Sequence, residues 1–236
     1  VQAAFGTMAK PLQVGFAVSA GVRAARLAAA GASADPASLE EWLKLVGGDP
    51  GAVALEGPVV PGGLAIKLYP CCYALQRPIA ALHGIGVEAA TVEAIAVRTP
   101  AASLQPLNRH TPRTGLEGKF SLEYGVAAAL LDDPVGFASF TDAAVGRPEA
   151  ARLAGRVTVE VTAGGSGLLD GAFFAQLRTA SESRWVELKL PPGAPGRPPS
   201  EAELAAKVAD CCGSLAEEVS VLDWDNGAEF LRRTLA

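Results

Sequence analysis

Residues 114–131 (TGLEGKFSLEYGVAAALL) constrain this chain more than any other stretch. Thr114 and Gly115 read as a turn and the run after them as a helix. Leu116, Phe120, Ala127 and Leu131 are spaced to share one face of it. Lys119 and Tyr124 are set into the same helix. A tyrosine beside Gly125, Ala127, Ala128 and Ala129 can lie close to a neighbouring backbone and still present its hydroxyl. Periodicity alone favours a core tyrosine over a catalytic one.

Half of the 236 residues are hydrophobic, enough for a sizeable core in one large domain or two small ones. A formal charge of -5, with no long basic run, argues against nucleic acid as a partner. The alanine-rich apolar stretches are interrupted by Arg23 and Arg26 or by Asp132 and Asp133, so no membrane span is expected. The cysteines come as adjacent pairs, Cys71-Cys72 and Cys211-Cys212, without the C-x-x-C spacing of a zinc site. With His83 and His110 as the histidines, no metal centre is expected, and a reduced cytoplasmic compartment fits. The sequence begins at Val1, without Met, and enters a patterned motif within about five residues. That suggests either processing or membership of a longer polypeptide.

In chain order, Pro11 opens a helix rich in Gly and Ala that Gly31 stops. Its small residues imply close packing between helices. Asp35 and Pro36 start a short helix carrying Leu39, Trp42 and Leu43 on one face. Residues 47–63 are Gly/Pro-rich and read as a linker. Residues 65–85 begin extended, turn at Pro70 and become helical, with Ile79, Leu82 and Ile85 on one face and His83 on the surface. Residues 91–99 read as a strand and 100–115 as a loop, where His110 lies near Arg109 and Arg113. After the central helix, 136–144 and 147–154 read as two short helices. Val157, Val159 and Val161 alternate with Thr158, Glu160 and Thr162 and read as a half-buried strand. Gly164 to Gly167 form a loop without phosphate-binding spacing. Residues 173–179 are ambiguous between helix and strand, and 186–190 alternate as a last strand. Ser200 and Glu203 form a capping box for a helix reaching about Cys212. A final helix covers 228–235.

Four blocks resemble the MmgE/PrpD family, in its order. GTMAKPLQVG (6–15) is similar to that family's GTMTKPLHAG, AIKLYPCCYALQRPIAAL (65–82) to KxYPCCRYTHPAIDAL, and RPPSEAELAAKVADCC (197–212) to NPMTxxELxxKFxDC. GLEGKFSLEYGVAAALLDD (115–133) looks like its helical signature. The family includes 2-methylcitrate dehydratase, cis-aconitate decarboxylase and iminodisuccinate epimerase.

The resemblance implies an α+β fold: the end of an all-helical domain, then an α+β lid, with the site between them. On this reading 1–63 are the last helices and linker, 64–215 the lid, and 216–236 a helical segment returning to the helical domain. It further implies the C-terminal portion of the enzyme, with an N-terminal helical segment, or a separate chain carrying it, as partner, in a homo-oligomer such as a dimer. The implied chemistry is cofactor-independent: a lyase of the dehydratase type acting on a small polycarboxylate such as methylcitrate by proton abstraction beside a carboxylate. Epimerisation by an isomerase of the same family, or a non-catalytic subunit, are the alternatives.

Lys10 takes the position that contacts substrate carboxylate, and Tyr124 that of the hydrogen-bond or proton donor. Gln13 stands where the family usually has His, and it cannot exchange a proton near neutral pH. The family's other histidine falls at Gln76, or at Cys72 in members that carry it earlier. Gln13, Cys72 and Gln76 are therefore expected to line the substrate pocket.

Overall fold

The computed structural model describes residues 2–53, 56–57, 60, 62–164, 167 and 170–234. Ala54, Leu55, Pro58, Val59 and Pro61 of the expected linker, Gly165 and Ser166 of the glycine loop, and Leu235 of the last helix lie outside the described residues. The chain divides into a smaller unit, Met8–Leu64, and a larger one made of Val1–Thr7 and Ala65–Ala236.

In the smaller unit α1 spans Ala9–Ala29, with Pro11 in its first turn and Gly31 beyond its end at φ +94°. Only glycine takes that conformation without strain, which is why the helix stops there. No residue of α1 is buried. Helix α2 covers Ser38–Leu45, so it starts later than Asp35 suggested. The Asp35 carboxylate instead accepts from the Ala37 N–H at 2.9 Å, closing a turn ahead of the helix.

The larger unit is α+β, as expected. Among its described residues strands β1 (Ala94–Pro100), β2 (Val157–Thr162), β3 (Phe173–Arg178) and β4 (Ser183–Leu188) form a sheet in the order β2-β1-β3-β4. β2 runs parallel to β1, whereas β3 and β4 are antiparallel to their neighbours. The ambiguous run 173–179 is thus a central strand. Its alternating residues Phe173, Ala175 and Leu177 are all buried, and sheet pairing decides what propensity left open. Ile95 pairs with Leu177 and Val97 with Ala175, which puts these apolar side chains on one face.

Helix α3 (Gln76–Leu82) packs on β3 and β4 and buries Ile79 and Leu82 completely. α6 (Leu122–Leu131) packs on α3, and α8 (Pro148–Ala154) on α6. Between β1 and α6 lie α4 (Ala101–Leu104), in a stretch expected to be loop, and α5 (Gly115–Gly118). α7 (Asp142–Val145) follows a single-turn 3-10 helix at Phe137–Phe140. The chain ends with α9 (Glu201–Cys212), α10 (Ala216–Ser220) and α11 (Gly227–Thr234). The Ser200–Glu203 capping box is present: Glu203 N–H donates to Ser200 Oγ at 3.2 Å, and Ser200 N–H to the Glu203 carboxylate at 2.8 Å.

The organising stretch is two helices rather than one. Ser121 is extended (φ -114°, ψ 121°) and its hydroxyl accepts from the Tyr124 N–H at 3.1 Å, capping a fresh helix. α6 is buried nearly all round, because its small residues let neighbours approach from several sides. At Gly125 a Cβ would sit 2.9 Å from Leu75 Cδ2.

Candidate functional site

The turn after Pro70 brings the first cysteine pair against the end of α5. The Cys72 N–H donates to the Lys119 carbonyl at 3.0 Å, joining the second and third motif blocks through backbone. Cys71 is buried and Cys72 half-buried. Burial pushes the Cys71 thiol well above the ordinary range, and Cys72 adds to this, while Lys67, Lys119 and Lys207 pull the other way. Three lysines from separate parts of the chain therefore contribute positive potential at one thiol. Among the described residues none of the three has a carboxylate within ion-pair distance.

Lys119 follows α5 directly and is half-buried. Burial lowers its pKa, opposed by Cys71 and reinforced by Lys207. Its Nζ lies 5.4 Å from the centre of the Phe137 ring, and Lys207 Nζ lies 5.3 Å from the same centre. The Phe137 N–H donates to both Asp210 carboxylate oxygens at 3.2 Å, which docks α9 on this turn. Lys207 and Asp210 are three residues apart and so share a helix face. Lys67, Lys119 and Lys207 were not singled out from the sequence as site residues. Each falls inside a motif block, but the blocks meet only in the fold.

Tyr124 is 2 % exposed. Its hydroxyl donates to the Ser139 carbonyl, and its ring meets Phe140 edge-on at 5.9 Å. Burial raises its pKa, with Arg147 beside the phenol oxygen acting against the rise. Arg147 in turn holds Asp132 by a fork of two bonds at 2.6 and 3.0 Å. Tyr124 thus fastens the turn that carries Phe137.

Gln76 is fully buried. Its Oε1 accepts from the Tyr69 N–H at 3.0 Å, and its Nε2 donates to the Tyr69 carbonyl at 2.9 Å and to Cys71 Sγ at 3.4 Å. These bonds make it the brace of the Tyr69–Cys71 turn. Tyr69 is pushed up to about 12 by burial, with Glu203 adding to it, so the fourth block reaches this turn as well. Phe5 stacks on Phe120 at 4.9 Å and its carbonyl accepts from Arg109. Lys10 and Gln13 lie on α1 in the smaller unit, both exposed.

The histidines sit elsewhere. His110 Nδ1 is 2.8 Å from Glu123 Oε1, and His83 Nε2 is 3.5 Å from Asp133. Among the described residues no group of three or more His, Cys, Asp or Glu is arranged to hold a metal ion. No described helix is long and apolar enough to cross a membrane. A cleft of about 700 Å³ is lined by Glu88, Glu93 and Glu182 against Arg156. Its charge is of the wrong sign for an acidic ligand, whereas the lysine cluster carries the right one.

No curated protein matches the chain to a significant degree. The MmgE/PrpD C-terminal domain matches residues 69–224, which hold Cys72, Gln76, Lys119, Tyr124, Phe137 and Lys207. The chain belongs to the MmgE/PrpD family, a family of dehydratase- and epimerase-type enzymes.

Proposed function

We propose that this chain is part of a cytoplasmic lyase of the dehydratase type, acting on a small polycarboxylate such as methylcitrate. The observation that carries this reading is the meeting of Lys119, whose carbonyl takes the Cys72 N–H, and Lys207 at the Phe137 ring, with no carboxylate within ion-pair distance of either among the described residues. Taking a proton from carbon beside a carboxylate builds an enediolate, whose two negative oxygens need cations fixed in place beforehand. Departure of a hydroxyl from the next carbon, protonated as water, then leaves an alkene. On the smaller unit Lys10 holds a carboxylate and Gln13 faces substrate by their motif positions, and on the larger unit Cys72 is the pocket-lining residue. Gln76 acts by holding the Cys71-Cys72 turn. For Tyr124 to donate to the reacting group, its hydroxyl must exchange the Ser139 carbonyl for substrate. Otherwise it serves by positioning the Phe137 turn.

An epimerase would use the same stabilisers, with reprotonation from the opposite face and no leaving group. Leu12, Val14, Phe16, Val18, Val22 and Leu27 of α1 are all exposed. They are distributed around the helix, and in the working enzyme a further helical segment covers them.

Turnover tests this reading. The chain, alone and joined to a family N-terminal helical segment, is incubated with methylcitrate, citrate and chiral substituted succinates. Rising ultraviolet absorbance of a conjugated alkene supports the dehydratase. Loss of optical activity without an alkene would select the epimerase. Neither change in the joined protein would leave the non-catalytic subunit. Lys10→Ala is expected to weaken the polycarboxylate by about 1.5–3 kcal/mol, the usual worth of charge-assisted bonds.

A further inference from the structure

The arrangement around Phe137 is unusual for a surface aromatic. Phe137 is 44 % exposed, and the ammonium groups of two half-buried lysines stand at nearly equal distances from its ring centre. Like charges brought to one small ring repel each other, and Lys207 indeed weakens the hold of Lys119 on its proton. A packing role for either lysine would not require the other to be there. Asp210 supplies no neutralisation by ion pairing, since its carboxylate takes the Phe137 N–H and lies beyond ion-pair distance of both lysines. The Ser139 carbonyl, held by Tyr124, and Asp210 fix the turn from either side, so the ring is set in place before any ligand arrives.

We infer that Lys119, Phe137 and Lys207 form a carboxylate subsite, in which the two ammonium groups hold one carboxylate and the phenyl ring takes the adjoining carbon chain. An anion there relieves the repulsion between the lysines. The exposed ring selects acids with a hydrocarbon face over inorganic anions, because apolar surface is covered along with the charge. The inference rests on the polycarboxylate reading, which it extends by naming where one carboxyl group is held.

Citrate binding to the whole 236-residue chain, followed by calorimetry at low ionic strength, is the test. Lys119→Gln and Lys207→Gln are each expected to weaken citrate by roughly tenfold or more. Lys44→Gln, on the smaller unit, should change nothing. Phosphate at equal charge should bind more weakly than citrate to the parent, and Phe137→Ser should erase that preference. Should a lysine variant fail to fold, reductively methylated parent protein keeps the charges, and citrate must then shift the Lys119 and Lys207 methyl resonances ahead of other lysines. Unchanged citrate affinity in both lysine variants, uniform lysine shifts, or no citrate binding by the parent overturns the subsite. Turnover separates the two ideas. A subsite that binds citrate in an enzyme without dehydration or epimerisation removes the proposed reaction alone. Turnover with an unaltered KM in Lys207→Gln removes the subsite alone.

Discussion

The Tyr124 hydroxyl donates to the backbone carbonyl of Ser139, fifteen residues along the chain. That bond fastens α6 to the 3-10 turn at Phe137–Phe140 and makes a residue expected at the chemistry part of the frame around it.

Tyr124→Phe keeps the ring and deletes the donor, leaving a buried carbonyl unsatisfied. The expected loss is about 1–2 kcal/mol of unfolding free energy, read from denaturant titrations. Parent-level stability would mean that the hydroxyl is available to a substrate instead.

Gly115 is where α5 touches the same turn. A Cβ there would stand 1.9 Å from the Phe140 carbonyl oxygen, and backbone cannot give way as a flexible side chain does. Gly115→Ala should cost about 3 kcal/mol or more, seen as a fall in Tm or loss of soluble protein. On α1, by contrast, Gly21 has nothing within 4 Å of its added Cβ. Gly21→Ala should stabilise that helix by about 0.5–1 kcal/mol, and circular dichroism on heating distinguishes the two outcomes.

Arg147 forks onto Asp132, whose side chain is only 14 % exposed. Arg147→Leu leaves that carboxylate without its two donors and should cost about 1.5–3 kcal/mol. Arg147→Lys keeps the charge but not the fork, so it should fall between parent and Leu. Equal stability of all three proteins would show the pair to be idle.

The pH response of Lys119 has a definite sign. Burial first, and Lys207 as well, hold its folded pKa below the ordinary lysine range, with Cys71 opposing. The unfolded chain therefore binds the proton more tightly than the folded one. The contribution of this group to stability should rise with pH, from its lowered value up to the ordinary lysine range. Citrate affinity should fall through the same window as the ammonium loses its charge. Parallel denaturation and calorimetry series at rising pH check both, and Lys119→Gln should flatten each curve.

Local chemistry made much of the fold legible. Gly31 ends α1 because it alone accepts a positive φ at no cost. The Ser200–Glu203 box starts α9, since both partners lie within one turn of each other. The valine alternation likewise marks β2 as a strand, but Val159 and Val161 are exposed, so the strand is not the half-buried one the alternation suggested. Where the decision belonged to distant partners, the sequence was silent or misleading. Residues 173–179 become a strand because β1 and β4 flank them. Periodicity across 114–131 suggested one helix, but Ser121 breaks it, and the short side chains that blur any single apolar face let α6 be buried nearly all round.

The candidate site divides in the same way. The motif blocks, and with them the family, could be read from residue order alone, because each block is a local run. The roles of individual residues could not. Gln76 and Tyr124 turn their polar atoms onto the backbone of Tyr69 and Ser139, and nothing in their spacing announces those partners. Lys119 and Lys207 meet over Phe137 only because Asp210 docks α9 on the 137–140 turn. Sequence by itself determined the helices, turns and blocks, which depend on bonds a few residues long. Tertiary structure decided which charges gather and which hydroxyls are taken, since fields and hydrogen bonds act across space between segments that the chain keeps far apart.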